Sequence, residues 1–447
     1  MKGVPSIGGR IQRLRRARSV SQAELAGLMG ISPSYLNLIE HNRRRITVPL
    51  LLKLAQYFGI DAGELAESDN SRLAGDLMQI FGDEIFADLS LTNLDIHDVA
   101  AGNALVGRAI VRLFDEYLAL RKKHVPGAVT VSQASLDVAT DSVSDFLQES
   151  GNYFPTLESA AQRIRHDIDL SSDSLDYGLR SYLYNVFGLR WKKAALPGGE
   201  ACALDPDKGD FVTADILPLE SATFLVARQL GLMGARREIA ALLANANLSE
   251  VAAPIAERAL SSYFAAALVM PYEEFFRLAG ETRYDIERIS SHFKVSFEQV
   301  CHRMTSLQRP GMMGIPLHLV RADIAGNISK RFSLSGIHIP RHGGACPRWN
   351  VYSAFLHPGQ INVQISQMPD GVKYLCIAKS ITKGGFGHNQ PRRHLSIGLG
   401  CHIAHAARMI YADGIDLANA RQVVPIGVGC RLCPRQDCEQ RAHPAAN

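Results

Sequence analysis

The sequence has no apolar run near the ~20 residues that a membrane-spanning helix requires. Its longest such stretches, YFAAALVMP and ATFLVA, stop far short, so no membrane partner is expected. The leading MKGVPSIGGRIQRLRRARS lacks the apolar segment of a secretory signal, and a cytoplasmic location is expected. Extremes of composition are also missing: 47% of residues are hydrophobic and 21% charged, as in folded globular chains rather than disordered ones. At 447 residues the chain exceeds one ordinary core, and about 100–200 residues per domain gives two to four domains. Net charge is low too, at +4, but it is unevenly placed. Residues 1–65 hold ten Lys/Arg against four Asp/Glu, leaving −2 for the remainder. A basic head on a near-neutral body points to a polyanionic partner for the head.

Eight cysteines in a chain expected to be cytosolic read as metal ligands or small buried hydrophobes rather than disulfides. Cys202, Cys301, Cys376 and Cys401 stand singly among apolar neighbours and read as core. Cys430, Cys433 and Cys438 are different: VGCRLCPRQDCEQRAHP packs three thiols into nine residues. That spacing lets several sulfurs converge on one point and raises the question of a metal.

The head has a regular series of helix signals. Ile11 and Leu14 have helical spacing, Ser21 can cap a helix over Gln22–Met29, and Gly30 supplies a turn. Ser32 can then cap a further helix with Pro33 in its first turn. Leu25, Leu28, Ile31, Leu36 and Ile39 are expected to close one small core, with Ser34, Tyr35 and Asn37 pointing elsewhere. This is a helix-turn-helix pattern, in which the second helix of the pair enters the major groove. The expected DNA-binding residues are Gln22, Ser32, Ser34, Tyr35, Asn37, Arg43, Arg44 and Arg45. Gln22 suits a phosphate contact at a helix N-terminus, Asn37 a base edge, and the three arginines phosphates beyond the recognition helix. Residues 8–65 resemble the lambda-repressor-like helix-turn-helix family known as XRE, which implies a double-stranded DNA operator as partner.

Residues 66–150 read as a helical connector. An amphipathic stripe through Leu105, Ile110, Leu113, Tyr117 and Leu120 could pair two subunits into a homodimer or higher homo-oligomer. From 151 to 310, SATFLVARQLGLMG and RALSSYFAAALVMPYEEF resemble the metallopeptidase domain of the ImmR/IrrE family. Members carry H-E-x-x-H, in which two His bind zinc and the Glu is the general base. Here that stretch is Arg228, Gln229, Leu230, Gly231 and Leu232. No catalytic residue of the family type remains, so the chain is not expected to be an enzyme. Arg228 and Tyr263 are expected to offer a cation and an aromatic face to a ligand in the vacated pocket. RYDIERISSHFKVSFEQVCHRMTSLQRPG resembles a second helix-turn-helix, for which a structural role is expected.

Residues 311–447 contain strand-like runs, GQINVQIS and VKYLCIAKSI, with Gly/Pro punctuation. The expected fold class is thus multidomain and mainly α with an α+β C-terminal part, behind the all-α helix-turn-helix. GGACPRWNVYSAF, GHNQPRRHLSIGLGCHIAHAARMIYADGIDL and the cysteine-rich end, taken with the head and middle, resemble the short-chain fatty acyl-CoA regulator family over nearly the whole chain. The resemblance implies that Cys346 joins Cys430, Cys433 and Cys438 as a ligand. It also implies a [4Fe–4S] cluster and coenzyme A or a short-chain acyl-CoA as effector, as in mycobacterial propionate regulators of this type. Spacing by itself leaves zinc as the alternative, and His443 a further possible ligand. Coenzyme A carries phosphates and needs cations; Arg321, Lys330, Arg348, Trp349, Arg392 and Arg393 are the candidates, the last two following the Gly-rich KGGFGHNQP. The expected function is a transcription regulator of propionyl-CoA or acetyl-CoA metabolism that responds to acyl-CoA. The alternatives are a regulator that senses redox or nitrosative stress through the cluster, and a repressor-cleaving metalloprotease.

Overall fold

The computed structural model describes residues 11, 14, 15, 18, 20–40, 44, 46–58, 69–89, 91, 93–123, 131–168, 175–197, 200–341, 345–384, 391–417, 419–430 and 433–441. Arg43, Arg45 and His443 lie outside them. The chain forms two compact units, residues 1–117 and 118–447. Residues 66–150 are therefore divided between the units.

In the first unit, helix α1 (Gln22–Met29) opens on a capping box: the Ser21 hydroxyl accepts the Glu24 N–H, and the Glu24 carboxylate accepts the Ser21 N–H. Gly30 ends it in the left-handed region at φ 72°. Ser32 Oγ accepts the Tyr35 N–H at 3.1 Å and caps α2 (Pro33–Glu40). Helix α3 (Val48–Phe58) completes a core of Ile11, Leu25, Leu36, Ile39, Leu54 and Phe58 with their neighbours. Leu28 does not belong to it: the side chain is 57% exposed, and Ala26 and Met29 take the inner positions. Helices α4 (Asp69–Phe81), α5 (Asn93–Gly102) and α6 (Ala104–Lys123) follow. The stripe expected on α6 is rotated from the buried one. Val111 and Phe114 are buried, while Leu105 and Leu113 are 73% and 72% exposed.

The second unit begins with α7 (Val131–Glu149), α8 (Pro155–Asp167) and α9 (Leu175–Phe187). A small sheet follows, from β1 (Arg190–Ala194), β2 (Cys202–Asp205) and β3 (Asp210–Ala214), in the order β1-β3-β2. Next come α10 (Leu219–Gly234), α11 (Arg236–Ala244), α12 (Ala252–Val269), α13 (Tyr272–Glu281), α14 (Ile286–Phe293) and α15 (Phe297–Thr305). Helices α10 and α12 approach so closely at Gly231 that a Cβ there would lie 2.7 Å from Phe264 Cδ1. The stretch resembling a second helix-turn-helix is α14 and α15, joined through Lys294 in the left-handed region. Val300, Cys301, Arg303 and Met304 of α15 are buried, so this helix is a packing element rather than a groove reader.

The remainder is the hairpin β4 (Gln308–Arg309) and β5 (Met312–Met313), then β6 (Leu317–Asp323), β7 (Ile328–Ser333), a short α16 (Asn350–Ser353), β8 (Asn362–Gln367), β9 (Lys373–Gly384), β10 (Arg392–His402) and β11 (Val423–Pro425). Strands β6 to β11 form one sheet in the order β11-β8-β9-β10-β6-β7. Because side chains alternate along a strand, its faces differ. Leu319, Leu375, Ile377, Ile397 and Leu399 join the helical core, while Val320, Cys376 and Ala378 pack with Trp349 and Cys346 on the other face. Edge strand β7 is covered by α7: Gln148 exchanges two hydrogen bonds with the Ser333 backbone, and Arg331 pairs with Asp141 at 3.0 Å.

Candidate functional site

Each candidate site is assembled from a different part of the chain. In the head, Ser34 and Asn37 are exposed on α2 and Tyr35 is half-buried, which leaves one side of the helix able to meet a groove. The Arg44 guanidinium lies 5.4 Å over the Tyr35 ring, a cation–π contact that stiffens an otherwise loose side chain. Gln22 is placed differently from the expectation. Its amide donates to Glu40 Oε2 at 2.9 Å, and Glu40 also receives the Arg15 fork at 2.7 and 3.0 Å. That buried junction ties α1 to α2, so Gln22 holds the angle between the helices. Ser32 likewise serves as a cap.

In the helical part, Tyr263 is not available to a ligand. Its hydroxyl donates to Glu158 Oε1 at 2.6 Å, and its ring sits edge-on against Phe154. Burial, reinforced by Glu158, pushes the phenol well above its ordinary pKa and keeps it a donor. Glu158 also receives both arms of Arg303, at 2.6 and 3.0 Å, and Arg303 is fully buried. Sequence reasoning missed this lock, which joins α8, α12 and α15; a Glu and an Arg 145 positions apart give no local signal. Arg228 is half-buried on α10, with Nη2 3.5 Å from Cys202 Sγ.

On the face of the large sheet that packs on the helical core lies a cluster of cations around one carboxylate. Glu298 projects from the first turn of α15 and is 4% exposed. Its Oε1 accepts from Arg321 at 2.9 Å, and the Lys383 ammonium lies against Oε2 as an ion pair. His302, one turn on, is 3.6 Å from Oε1, and Lys330 Nζ is 3.3 Å from His302 Nε2. Although desolvation opposes ionisation of Glu298, His302, Lys383 and Lys330 together hold it far below the usual carboxylate range. Desolvation, then the nearby Lys330, pushes His302 down to about 4, so it is neutral at pH 7. Desolvation also lowers Lys330 to about 8 against the pull of Glu298, although the residue as a whole is exposed. Arg321 and Lys330 were expected as ligand contacts, and the register pairs them across β6 and β7. Glu298, His302 and Lys383 were not. A carboxylate and an imidazole four residues apart on one helix were the available signal.

The other expected contacts separate. Arg392 and Arg393 are adjacent on β10 and exposed, so they point to opposite faces of the sheet. Arg393, opposite Lys383 in the register, shares that residue's face. Trp349 is a core residue, 3% exposed and packed beside His318. Arg348 is half-buried, and its carbonyl accepts from Gln364.

The four expected cysteine ligands come together. Cys346, Cys430, Cys433 and Cys438 line one small cavity with Pro347, Gly429 and Arg441. Backbone N–H groups of Arg348 and Gly427 point to the Cys346 sulfur, whose thiol is pushed up by burial and then by Cys430 and Cys433. Gly427 is required by space, since a Cβ there would lie 2.9 Å from Cys433 Sγ. Arg441 donates to the Cys433 and Arg435 carbonyls at 3.0 and 2.6 Å, and Arg435 to those of Ile426 and Gln367. The two guanidinium groups therefore fix the loop that carries the thiols. Among the described residues the sulfurs share a lining and are not drawn into a closed ligand set. No described helix is long and apolar enough to cross a membrane.

Comparison with known proteins accounts for this layout. Residues 11–65 match a helix-turn-helix family, 211–305 the IrrE N-terminal-like domain, and 306–447 the C-terminal region of the short-chain fatty acyl coenzyme A regulators. The transcriptional regulator RamB of Mycobacterium tuberculosis is 35% identical over 451 residues, covering 98% of this chain and 94% of that one. PrpR of the same organism is 36% identical, covering 98% and 91%. The propionyl-CoA carboxylase regulator of Cereibacter sphaeroides is 34% identical, covering 98% and 94%. A solved structure of a Mycobacterium tuberculosis transcriptional regulator superposes with a TM-score of 0.66 at 39% identity, over 69% of this chain and 94% of that one. With a DNA-binding head and relatives matched along nearly its entire length, the chain belongs to the short-chain fatty acyl coenzyme A regulator family of helix-turn-helix transcription regulators.

Proposed function

We propose that this regulator responds to a short-chain acyl-CoA, that Cys346, Cys430, Cys433 and Cys438 hold a [4Fe–4S] cluster, and that it acts as a cytoplasmic homodimer controlling propionyl-CoA or acetyl-CoA metabolism. The observation that carries the cofactor is the convergence of four thiols, from segments more than eighty positions apart, on one cavity. The donor set fits: four sulfurs, two backbone N–H groups aimed at one of them and a glycine where a side chain would collide. Such a cluster supplies one-electron redox chemistry. The chain's own residues hold the loop through Arg435 and Arg441 and shield one wall with Pro347. Zinc would be held by the same four thiolates.

Effector binding changes operator occupancy only if the ligand prefers one of two arrangements of the protein. The cations of the large sheet give its phosphates a place to bind, and the exposed Leu105 and Leu113 of α6 favour a second copy as partner. No peptidase reaction is assigned, because Arg228 to Leu232 offer neither zinc ligand nor general base.

The test is metal and sulfide analysis with a visible spectrum on protein purified without air. Roughly four irons and four sulfides per chain with broad absorbance establish the cluster. One zinc without colour replaces it with a structural clasp. Operator affinity measured with and without propionyl-CoA then separates an acyl-CoA response from a redox response, in which affinity follows the cluster state alone.

A further inference from the structure

Three cations surround one carboxylate on the sheet: Arg321, Lys330 and Lys383 against Glu298. A neighbouring cation on this face, Lys379, has its own partner, Glu287 at 2.7 Å. His302 is neutral near pH 7, so the cluster keeps two surplus positive charges. A structural ion pair needs no such surplus, and like charges gathered around one carboxylate repel one another unless a further anion joins them. Arg393, opposite Lys383 in the register, adds a cation at the same end of β9 and β10. Glu298 occupies the centre of this group, with Oε1 held by Arg321 and Oε2 against the Lys383 ammonium.

We propose that Arg321, Lys330 and Lys383 form a phosphate-receiving site in which Glu298 is the resident anion, displaced when a diphosphate group enters. A diphosphate brings at least two negative charges and several acceptor oxygens, which match the surplus. A carboxylate already held by the same cations is an internal competitor, and it sets the threshold concentration for the ligand. Its release has a route into the fold, because Glu298 lies in the first turn of α15 while Arg303, in the last turn of the same helix, is fixed to Glu158. Displacement therefore loosens one end of α15 while the other stays anchored.

This inference names the phosphate subsite of the acyl-CoA reading and rests on it, so the experiment separates the two. Full-length protein is titrated calorimetrically with coenzyme A and, separately, with inorganic pyrophosphate, using wild type, Glu298→Gln and Lys330→Gln. Removing the competitor should tighten both ligands by roughly tenfold, and removing one charged donor should weaken both by about the same factor. If Glu298→Gln does not fold, as judged by melting, Lys330→Gln, at an exposed position, decides alone. Coenzyme A binding wild type and Lys330→Gln equally overturns the site and leaves the acyl-CoA reading in place. Tighter binding of neither ligand by a folded Glu298→Gln removes Glu298 as competitor. Pyrophosphate binding that depends on Lys330 without any coenzyme A binding upholds the site and sinks the acyl-CoA reading. Binding of neither ligand to wild type overturns both.

Discussion

Replacing Arg303 by Met tests whether the buried lock of the helical part is mutual. The guanidinium is fully buried and donates to both Glu158 oxygens, to the Met270 carbonyl at 3.0 Å and to Ser306 Oγ at 3.1 Å, with the Tyr272 ring 5.5 Å away. Methionine fills much of the volume but leaves Glu158 buried with the Tyr263 hydroxyl and without its cation. Breaking a buried pair from one side costs about 3–5 kcal/mol, far more than a surface pair, because the orphaned charge has lost its compensation. With a urea slope of about 3 kcal/mol per molar, the unfolding midpoint should fall by roughly 1–1.7 M. The chain has two tryptophans; Trp191 and Trp349 are both buried in the second unit, so selectively excited tryptophan fluorescence follows that unit alone. Arg303→Met with Glu158→Gln should recover a share of the loss, giving a coupling energy on the order of 2 kcal/mol in the double-mutant cycle. A single-mutant cost below about 1 kcal/mol, or a coupling of zero, would refute the reasoning.

Gly231→Ala should destabilise the second unit by about 1–3 kcal/mol, since its methyl meets the Phe264 ring at 2.7 Å between two packed helices; a melting temperature equal to wild type would contradict that packing. His318 is buried, with Nδ1 2.8 Å from Ser335 Oγ, and burial pushes it down to about 3. The unfolded chain thus binds the proton first. Stability is full above the ordinary histidine value of about 6.5 and declines below it, by roughly 2 kcal/mol at pH 5 from this group. His318→Gln should flatten that acid limb in urea titrations at several pH values, and an unchanged limb would assign it elsewhere. Cys433→Ser should abolish bound metal and lower the melting temperature, and normal metal content by elemental analysis would remove this cysteine from the site.

Much of the head was legible because its determinants are local. Ser21, Gly30, Ser32 and Pro33 mark element ends within a few residues, and α1 spans the residues that they indicate. Leu28 and the α6 stripe were misread for one reason: periodicity shows that a helix has an apolar face but not which of two overlapping stripes a partner covers. Tyr263, Trp349 and Gln22 were suitable chemistry already engaged by distant neighbours, Glu158, His318 and Glu40. The four cysteines were identified by their chemistry and a family pattern. Glu298, His302 and Lys383 became a cluster only through the pairing of β6, β7, β9 and β10 with α15, which no single segment displays.

Strand β11 is three residues long and sits at the outer edge of the sheet, paired with β8, and it is followed almost at once by Cys430, Cys433 and Cys438. Three of the four thiols therefore owe their place beside Cys346 to the docking of this short edge strand. A ligand held by all four thiols would bind only chains on which that edge strand is in place, so its affinity would add to the stability of the sheet margin.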